Sequence, residues 1–273
     1  MIEGLNIRCN IGPVELLRTP YLELAYKRRA VLSRGVIHIP DPEGKARAVL
    51  AKDQKMKFRF GYRGEINYWH EWEGTIESID QPSQDSTNPD AVIVRGVGLE
   101  KRLSTTLVKE SFHNEAADAV ARRLLSLTGL AVAGVEIPGD VLPHQTFSNV
   151  PVARALKQIE HTLRRSFGHD LSKHAVWLGE SGLMWSDGDE PGDVYTIETA
   201  KNLIDHTPPA KAGEMGAVIS VLLPGLTDSR KVRIRDHRRQ INTLERAEEV
   251  IHVLQASGNS TTVMYGKNSG WGG

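Results

Sequence analysis

Cysteine is nearly absent from this sequence, and its absence excludes two classes of site. Cys9 is the single cysteine among 273 residues, so no intramolecular disulfide can form and no cysteine-based zinc site can be built. The segment 1–10 has no basic region followed by an apolar stretch, so no signal peptide is expected. No apolar run approaches the ~18 residues that span a bilayer. We therefore expect no membrane segment and synthesis in the cytoplasm.

An excess of charge of one sign is also lacking. Lysine and arginine total 34 residues, and aspartate and glutamate also total 34. No net field therefore draws the chain toward nucleic acid or an anionic membrane. Hydrophobic residues make up 40% and charged residues 25%, which is ordinary for a globular protein.

The first third of the chain shows the alternation typical of β-strands. In "KMKFRF", Met56, Phe58 and Phe60 alternate with basic residues, which predicts one buried and one wet face. Several such runs follow one another, separated by glycine, proline and asparagine turns rather than by helices. This order favours a barrel or sandwich over a βαβ unit.

The middle third changes to a helical period. Two helices are predicted, the first with Asn114 as N-cap and Gly129 as its end, the second beginning at Pro151 and ending at Gly168. A hairpin around residues 180–182 follows. Their apolar stripes are Ala117, Val120, Leu124 and Leu127, then Val152, Leu156, Ile159 and Leu163.

The last third returns to short β-rich runs, so the predicted fold class is α+β and mainly β. The predicted divisions are 1–104 (first β domain), 105–190 (α/β module of two helices and a hairpin), 191–266 (second β domain) and 267–273 (flexible tail).

The run "VIVRGVGLEKRL" suggests a dinucleotide-binding site, but the spacing of its glycines excludes one. A dinucleotide fingerprint needs a third glycine three residues after the second, at the start of a helix. Lys101 stands there instead, within a β-only region. The two glycines, Gly96 and Gly98, then serve to bend the chain as it leaves a sheet. No cofactor is expected.

Two acidic stretches contain residues that could bind a metal ion. "WHEWE" holds one histidine, His70, in a strand pattern, whereas the zinc-protease signature needs two histidines on a helix. Asp187, Asp189 and Glu198 match positions one, three and twelve of a calcium loop, but Pro191 replaces a ligand and the helical scaffold is missing. We keep these three as weak calcium candidates. The alternative is acidic turn residues at a domain junction.

No nucleophile motif is present. There is no Gly-x-Ser-x-Gly sequence, and Ser181 fits a hairpin turn rather than a strand-to-helix elbow. The histidines His161, His169 and His174 share no helical face. We expect no catalytic residue, and an assembly role becomes the leading class of function.

The order of these pieces resembles the baseplate hub proteins of contractile-tailed phages, the late control protein D family and the Mu-like tail hubs. The resemblance spans roughly 48–266. Ser229 and Arg230 depart from a glycine that the family often carries. Its landmarks are Val92, Val94, Gly96, Leu103, Ser111, Asn114, Gly129 and Leu130, then Pro224, Gly225, Val232, Ile234, Val250, His252, Thr261 and Thr262.

The resemblance implies a fold, a role and partners. The fold is two β-barrel domains of the tail-hub type with the small α/β module between them. The role is that of a non-enzymatic homotrimer in the baseplate of the virion tail, made in the cytoplasm of the bacterial host. Its ring joins the tail tube protein to the central spike protein, and DNA passes through the channel without specific binding.

Such a trimer needs an interface, and the aromatic ribbon is the candidate for it, because aromatic residues anchor interfaces. The alternative is that Phe58, Phe60 and Trp72 fill their own barrel, which we expect for at least half of them. The candidate residues are Phe58, Phe60, Tyr62, Tyr68, Trp69 and Trp72.

Two other functions remain open. One is a metal- or calcium-assisted hydrolase of the host envelope that uses Asp187, Asp189 and Glu198. The other is the hub of a tailocin or contractile injection system, which the sequence cannot separate from a phage hub.

Overall fold

The computed structural model describes residues 4–30, 32–62, 70–80, 90–211 and 213–266. It is mainly β with few helices, so the predicted α+β class is confirmed. Within the described residues, no helix is both long and apolar enough to cross a membrane.

The helices are α1 (Lys45–Val49), α2 (Lys101–Thr105), α3 (Ala117–Ser126) and α4 (Val152–Ser166). The strands of the first third are β1 (Leu5–Ile11), β2 (Val14–Leu16), β3 (Tyr21–Lys27), β4 (Arg34–Pro40), β5 (Lys55–Tyr62), β6 (His70–Asp80) and β7 (Ala91–Gly98). Those of the middle third are β8 (Leu107–Ala116), β9 (Val132–Val135), β10 (Val141–Pro151), β11 (Ala175–Gly179) and β12 (Gly182–Ser186). The last third holds β13 (Tyr195–Glu198), β14 (Leu203–Thr207), β15 (Met215–Val221), β16 (Lys231–Asp236), β17 (Ile241–Gln255) and β18 (Gly258–Gly266).

The chain divides into two compact units. Unit 1 comprises the described residues of 1–27, 32–99 and 192–268, and unit 2 those of 28–31 and 100–191. The predicted boundaries of the α/β module, 105 and 190, lie close to those of unit 2. The first and last β segments were predicted as separate domains, but they cluster together as unit 1.

A single sheet explains that clustering. Its 13 strands run in the order β14-β15-β18-β17-β3-β4-β7-β6-β5-β1-β2, with β16 beside β17 and β13 beside β16. The last third therefore joins the first through one antiparallel pair, β3 with β17. Pairing between strands so distant in sequence leaves no signal in the local pattern, so sequence analysis did not find it.

The β3–β17 pair is the joint of unit 1. Along it Leu22 faces Leu254, and Leu24 faces His252. All four side chains are at most 1% exposed. Burial of such apolar side chains contributes about 1.5–3 kcal/mol each, so the joint belongs to the core and not to a loose contact between two domains.

Unit 1 contains an internal repeat. In repeat A (residues 21–98) the strand order is β3-β4-β7-β6-β5, and in repeat B (residues 203–266) it is β14-β15-β18-β17-β16. In both repeats the first two strands pair, the second pairs with the last, and the fourth lies between the third and the last. The chain therefore uses one strand plan twice.

The correspondence holds residue by residue. The pairing of β6 with β7 shifts register after Ile76, and that of β17 with β18 shifts after Ala247. The carbonyl of Ile76 accepts from the amide of Asp53 at 2.9 Å, and that of Ala247 accepts from the amide of Ser229 at 2.8 Å. Asp53 and Ser229 have φ of 67° and 68°, the left-handed region that few non-glycine residues adopt. Two segments sharing a bulge and a strained residue have the same local architecture.

Two glycines also occupy equivalent places. Gly35 on β4 faces β7, and Gly216 on β15 faces β18, at matching register positions. A Cβ at Gly35 would lie 2.9 Å from the ring of Phe58, and one at Gly216 would lie 2.7 Å from the ring of Tyr265. Both repeats therefore need glycine here so that a ring can pass close to the backbone.

Unit 2 packs three helices, α2, α3 and α4, with two small sheets. One sheet pairs β8 with β10, and the other has the order β11-β12-β9. The predicted hairpin is confirmed, since Gly179 pairs with Gly182. Gly129 and Gly168 both have positive φ beyond the ends of α3 and α4. The buried helix residues are Ala117, Val120, Ala121, Leu124 and Leu125 of α3, and Val152, Ala155, Leu156, Ile159 and Leu163 of α4.

The predicted N-cap of α3 is wrong. Asn114 lies in β8 with φ of 53°, and the N-cap residue is Ala116, whose side chain makes no capping hydrogen bond. Asparagine tolerates left-handed φ better than most residues, so the position uses its backbone tolerance rather than its side-chain oxygen.

Trp72 on β6 provides the first test of this fold. Its ring stacks on Phe58 with centroids 5.1 Å apart, and its Nε1 donates to Ser33 Oγ at 2.9 Å. We expect Trp72→Ala to lower the free energy of unfolding by about 3–5 kcal/mol, measured by urea denaturation. Leu17→Ala is the control, because Leu17 is 64% exposed and its loss should change stability by about 0.5 kcal/mol or less. Equal stability of the two variants would contradict this packing.

Candidate functional site

The predicted interface residues fall into two groups. Phe58 and Phe60 are 0% exposed and Trp72 is 4% exposed, so these rings fill the core of their own sheet. That is the alternative the sequence left open for them, and it corrects their assignment as exposed anchors. Tyr62 is partly buried, and its hydroxyl donates to the carbonyl of Leu222 at 2.9 Å. Tyr68 and Trp69 lie outside the described residues.

The opposite face of the β5–β6 ribbon carries charge. Lys57 Nζ lies 2.6 Å from Glu73 Oε1 and also contacts Glu71, and Arg59 pairs with Glu71. The hydrogen bonds that Lys57 donates to Glu71 and Glu73 raise its pKa. Burial raises the pKa of Glu71, but hydrogen bonds from Lys57 and Arg59 outweigh it, and the net shift is downward. Each exposed pair stabilises by about 0–1 kcal/mol. Together they give a polar face on which the two signs of charge alternate.

The three calcium candidates are divided between the two units of the chain. Asp187 and Asp189 belong to unit 2, whereas Glu198 belongs to unit 1. Glu198 already has cationic partners, with Lys201 Nζ at 2.8 Å and His237 Nε2 at 3.3 Å. Hydrogen bonds from these two side chains lower its pKa.

Across the part of the chain that the structure describes, no group of three or more histidine, cysteine, aspartate or glutamate side chains could hold a metal ion. The single cysteine, Cys9, is buried, and burial raises the pKa of its thiol to about 12. It is therefore neither a thiolate ligand nor a nucleophile near neutral pH.

A buried polar relay in repeat B went unnoticed in the sequence. His206 on β14 lies between Asp236 of β16 and Tyr265 of β18, with Nδ1 2.8 Å from Asp236 Oδ2 and Nε2 2.7 Å from the Tyr265 hydroxyl. The side chains of His206 and Asp236 are 0% exposed. Asp236 also accepts from Arg239 Nη1 at 3.0 Å. A carboxylate, an imidazole and a hydroxyl in this order also occur in catalytic relays. The pKa values and the adjoining cavity distinguish a catalytic role from a structural one.

The chemistry of the relay favours a structural role. Burial raises the pKa of Asp236, but hydrogen bonds from His206 and Arg239 outweigh it and bring the pKa down to about 2. Burial raises the pKa of Tyr265, which disfavours the phenolate. The adjoining cavity is about 150 Å³, below the roughly 300 Å³ at which ligand pockets begin. The relay therefore fastens β14 to the sheet.

A second buried polar cluster lies at the joint. His70 and His252 have ring centroids 5.4 Å apart, and Tyr26 contacts both rings. His252 Nε2 lies 2.8 Å from the carbonyl of Leu226, which can only accept, so Nε2 carries the proton. Nδ1 then accepts from the hydroxyl of Thr261 at 2.9 Å.

Both histidines are therefore neutral in the folded chain. Burial lowers the pKa of His252 to about 4, although the hydrogen bond to Leu226 opposes that shift. The pKa of His70 is lowered well below its usual value by burial and by the charges of His252 and Arg230. The neutral pair was not predicted from the sequence, because His70 lies in a stretch that resembled a metal motif and His252 was only a landmark of the family resemblance.

Comparisons with known proteins place the fold. No protein-family model matches this sequence, and none of the curated proteins matches it. Among solved structures, the tail protein from Neisseria meningitidis MC58 has a TM-score of 0.67 at 12% identity, over 97% of both chains. The 43 kDa tail protein of prophage MuSo2 from Shewanella oneidensis also has a TM-score of 0.67, at 9% identity, over 97% of both chains.

A third similar structure comes from a secretion system. A type VI secretion system component from E. coli, itself described as structurally similar to T4 bacteriophage tail proteins, has a TM-score of 0.63 at 11% identity. The alignment covers 98% of this chain and 77% of that one. The chain therefore has the fold of phage and prophage tail proteins. The resemblance to tail hubs that the sequence indicated is confirmed at the level of fold.

The neutral histidine pair predicts acid sensitivity. An unfolded histidine titrates near 6.5 and folded His252 near 4, so between these values the unfolded chain binds more protons. Stability is full above about pH 6.5 and is lost as the pH falls toward 4. The loss from His252 alone is about 3 kcal/mol. Urea denaturation at several pH values measures it.

A matched pair of variants isolates that contribution. His252→Gln keeps a donor for the carbonyl of Leu226 but cannot be protonated, so its stability should depend less on pH between 6.5 and 4. His161→Gln, at an exposed position of α4, should retain the wild-type slope. If His252→Gln and wild type have the same slope, the neutral buried histidine is not the cause.

The relay predicts a large cost for loss of its carboxylate. Asp236→Asn keeps the shape but removes the charge that faces Arg239 and orients His206, so we expect a loss of about 3 kcal/mol at pH 7. Asp205→Asn, at an exposed neighbour of His206 on β14, should change stability by about 0.5 kcal/mol or less. Thermal or urea unfolding measures the stability of both variants. A similarly small loss in each would rule out a structural role for the relay.

Proposed function

We propose that this chain is the structural hub protein of a phage or prophage tail, located in the baseplate of the virion tail. Three copies form a ring that joins the tail tube to the central spike and surrounds the channel. The role is one of assembly, without catalysis. The fold shared with tail proteins supports this proposal.

One observation carries the proposal, namely the internal repeat within a continuous sheet. Repeats A and B follow one strand plan and meet edge to edge at β3 and β17. Three chains of this kind supply six similar repeats while keeping threefold symmetry. A ring of that composition can match a sixfold tube on one side and a threefold spike on the other.

The charged face of the β5–β6 ribbon fits a channel wall. Phosphates bind lysine and arginine side chains by releasing counterions. Here Lys57 and Arg59 are held by Glu71 and Glu73, which reduces their attraction for a passing polyanion. Such a surface would let DNA through without specific binding.

Light scattering after size-exclusion chromatography, over a concentration series, tests the trimer. We expect a mass three times that of the 30.2 kDa chain. The oligomer should persist at high salt, because obligate interfaces rely mainly on apolar burial. A monomer at every concentration would contradict the proposal. In that case, heat released on titration with calcium would favour the alternative function, a hydrolase of the host envelope.

A further inference from the structure

The geometry points to a transition-metal site on the outer face of the β8–β10 sheet, formed by His113 and His144. The site takes a divalent cation that binds imidazole and prefers a square-planar or tetragonal arrangement, namely Cu²⁺ or Ni²⁺. It lies within unit 2 and does not depend on the proposed function. Neither histidine belongs to the acidic stretches that the sequence suggested as metal sites.

The register of the sheet holds the two histidines opposite each other. His113 of β8 pairs directly with His144 of β10, and both residues are exposed. On the other face of the same strands, Phe112 and Phe147 are buried and meet edge to face, with ring centroids 6.0 Å apart. The core therefore fixes the two strands, and a site on packed strands is more precise than a site on loops.

The ring nitrogens already have the spacing of two ligands on one metal ion. Nδ1 of His113 lies 3.0 Å from Nδ1 of His144, and the ring centroids are 4.5 Å apart. With metal–nitrogen bonds of about 2.0–2.1 Å, two ligands at a right angle lie about 2.9 Å apart, and two at a tetrahedral angle about 3.3–3.4 Å apart. The observed spacing fits the right angle of a square-planar or tetragonal ion.

A hydroxyl on the same face orients one of the rings. Thr146 Oγ1 lies 3.0 Å from Nε2 of His144 and 3.1 Å from the hydroxyl of Ser111. When Thr146 donates its hydrogen to Ser111, it accepts the hydrogen of Nε2, and Nδ1 of His144 keeps its lone pair. Histidines that bind metal ions almost always donate their other N–H to an oxygen or water in this way. Thr146 is therefore a positioning residue for the site.

The hydrogen between the two rings can move when a cation binds. In the metal-free pair, Nδ1 of His113 donates to the lone pair on Nδ1 of His144. With a cation between the rings, His113 carries its hydrogen on Nε2 instead, so that both Nδ1 atoms offer lone pairs. This is a change of tautomer, so binding to two neutral rings releases no proton and needs no further reactant.

The surroundings of the pair suit a cation with open coordination positions. Glu115 is exposed two residues beyond His113, whereas Lys109 lies four residues away on the same strand, about 13 Å along it. Among the described residues, no third histidine, cysteine or carboxylate joins the pair in a metal-binding group. The chain therefore supplies two ligands, and water fills the remaining positions of the ion.

Isothermal calorimetry of the full chain, in a buffer that does not bind metal ions, measures the site. Titration with Cu²⁺ chloride should show a tight site that binds one ion per chain, and Ni²⁺ should bind there more weakly. Calcium should not bind there, because it takes oxygen ligands. Pulsed electron paramagnetic resonance of the Cu²⁺ complex should show two coordinated imidazoles.

Removal of either histidine should abolish the tight site. His113→Ala and His144→Ala should each weaken Cu²⁺ binding by about 100-fold or more, beyond the loss typical for a residue that only positions a ligand, and should leave one imidazole in the spectrum. His161→Ala is the matched control, because His161 is also exposed but has no histidine three or four residues away on α4. It should bind Cu²⁺ as the wild type does.

Thr146→Val tests the positioning role of the hydroxyl. Valine keeps the branched shape but cannot accept from Nε2 of His144, so the affinity for Cu²⁺ should fall about 10–100-fold. Both imidazoles should remain in the spectrum, because both ligands are still present. Ser148→Ala, at an exposed position of the same strand, should leave both readouts unchanged.

The outcomes separate this site from loss of the fold and from the proposed function. The urea midpoint of each variant should stay near that of the wild type, since exposed substitutions change stability by about 0.5 kcal/mol or less. Equal Cu²⁺ affinity in His113→Ala, His144→Ala and His161→Ala would overturn the site, and so would a wild-type chain that binds no Cu²⁺. The mass measured by light scattering tests only the trimer, so either idea can fail without the other.

Discussion

The pairing of β3 with β17 is the interaction on which unit 1 depends. It is the one ladder that connects the first third of the described chain to the last, across the whole insertion of unit 2. The side chains of Leu22, Leu24 and Leu254 are buried along it. Without this ladder, β3 and β17 would each have an unpaired edge, and the side chains now buried between them would be exposed. With it, one sheet contains both repeats, and the edges that remain open lie at its ends.

The joint also determines where the chain tolerates polar groups. His252 faces Leu24 on the joint, and burial keeps it neutral, with a hydrogen-bond partner on each ring nitrogen. A protonated imidazole there would lose the hydrogen bond that Nδ1 accepts from Thr261, so acid acts on the joint itself. The relay of Asp236, His206 and Tyr265 differs, because its carboxylate stays ionised to about pH 2. The histidine cluster at the joint is thus sensitive to mild acid, whereas the carboxylate of the relay keeps its charge there.

Local features of this fold were predictable from the sequence, whereas its connections were not. The alternation of Met56, Phe58 and Phe60 gave the correct buried face, and Gly129 and Gly168 marked the ends of two helices. The aromatic residues were harder to place, because strand alternation cannot distinguish a ring in the core from one at an interface. The internal repeat was also missed, although "KMKFR" and "KVRIR" share basic residues at the same three places. Its evidence lies in register, bulges and left-handed residues.

Divergence between the repeats has a physical consequence for assembly. If A and B were identical, the edges of β3 and β14 would offer the same hydrogen bonds, and β17 could pair with either. Pro208 and Pro209 distinguish the edge of β14 from that of β3, which carries Leu24 and Ala25 instead. It is β3, the edge without proline, that pairs with β17. Proline has no amide hydrogen to donate to a ladder, so the edge of β14 offers fewer hydrogen bonds to a partner strand than the edge of β3.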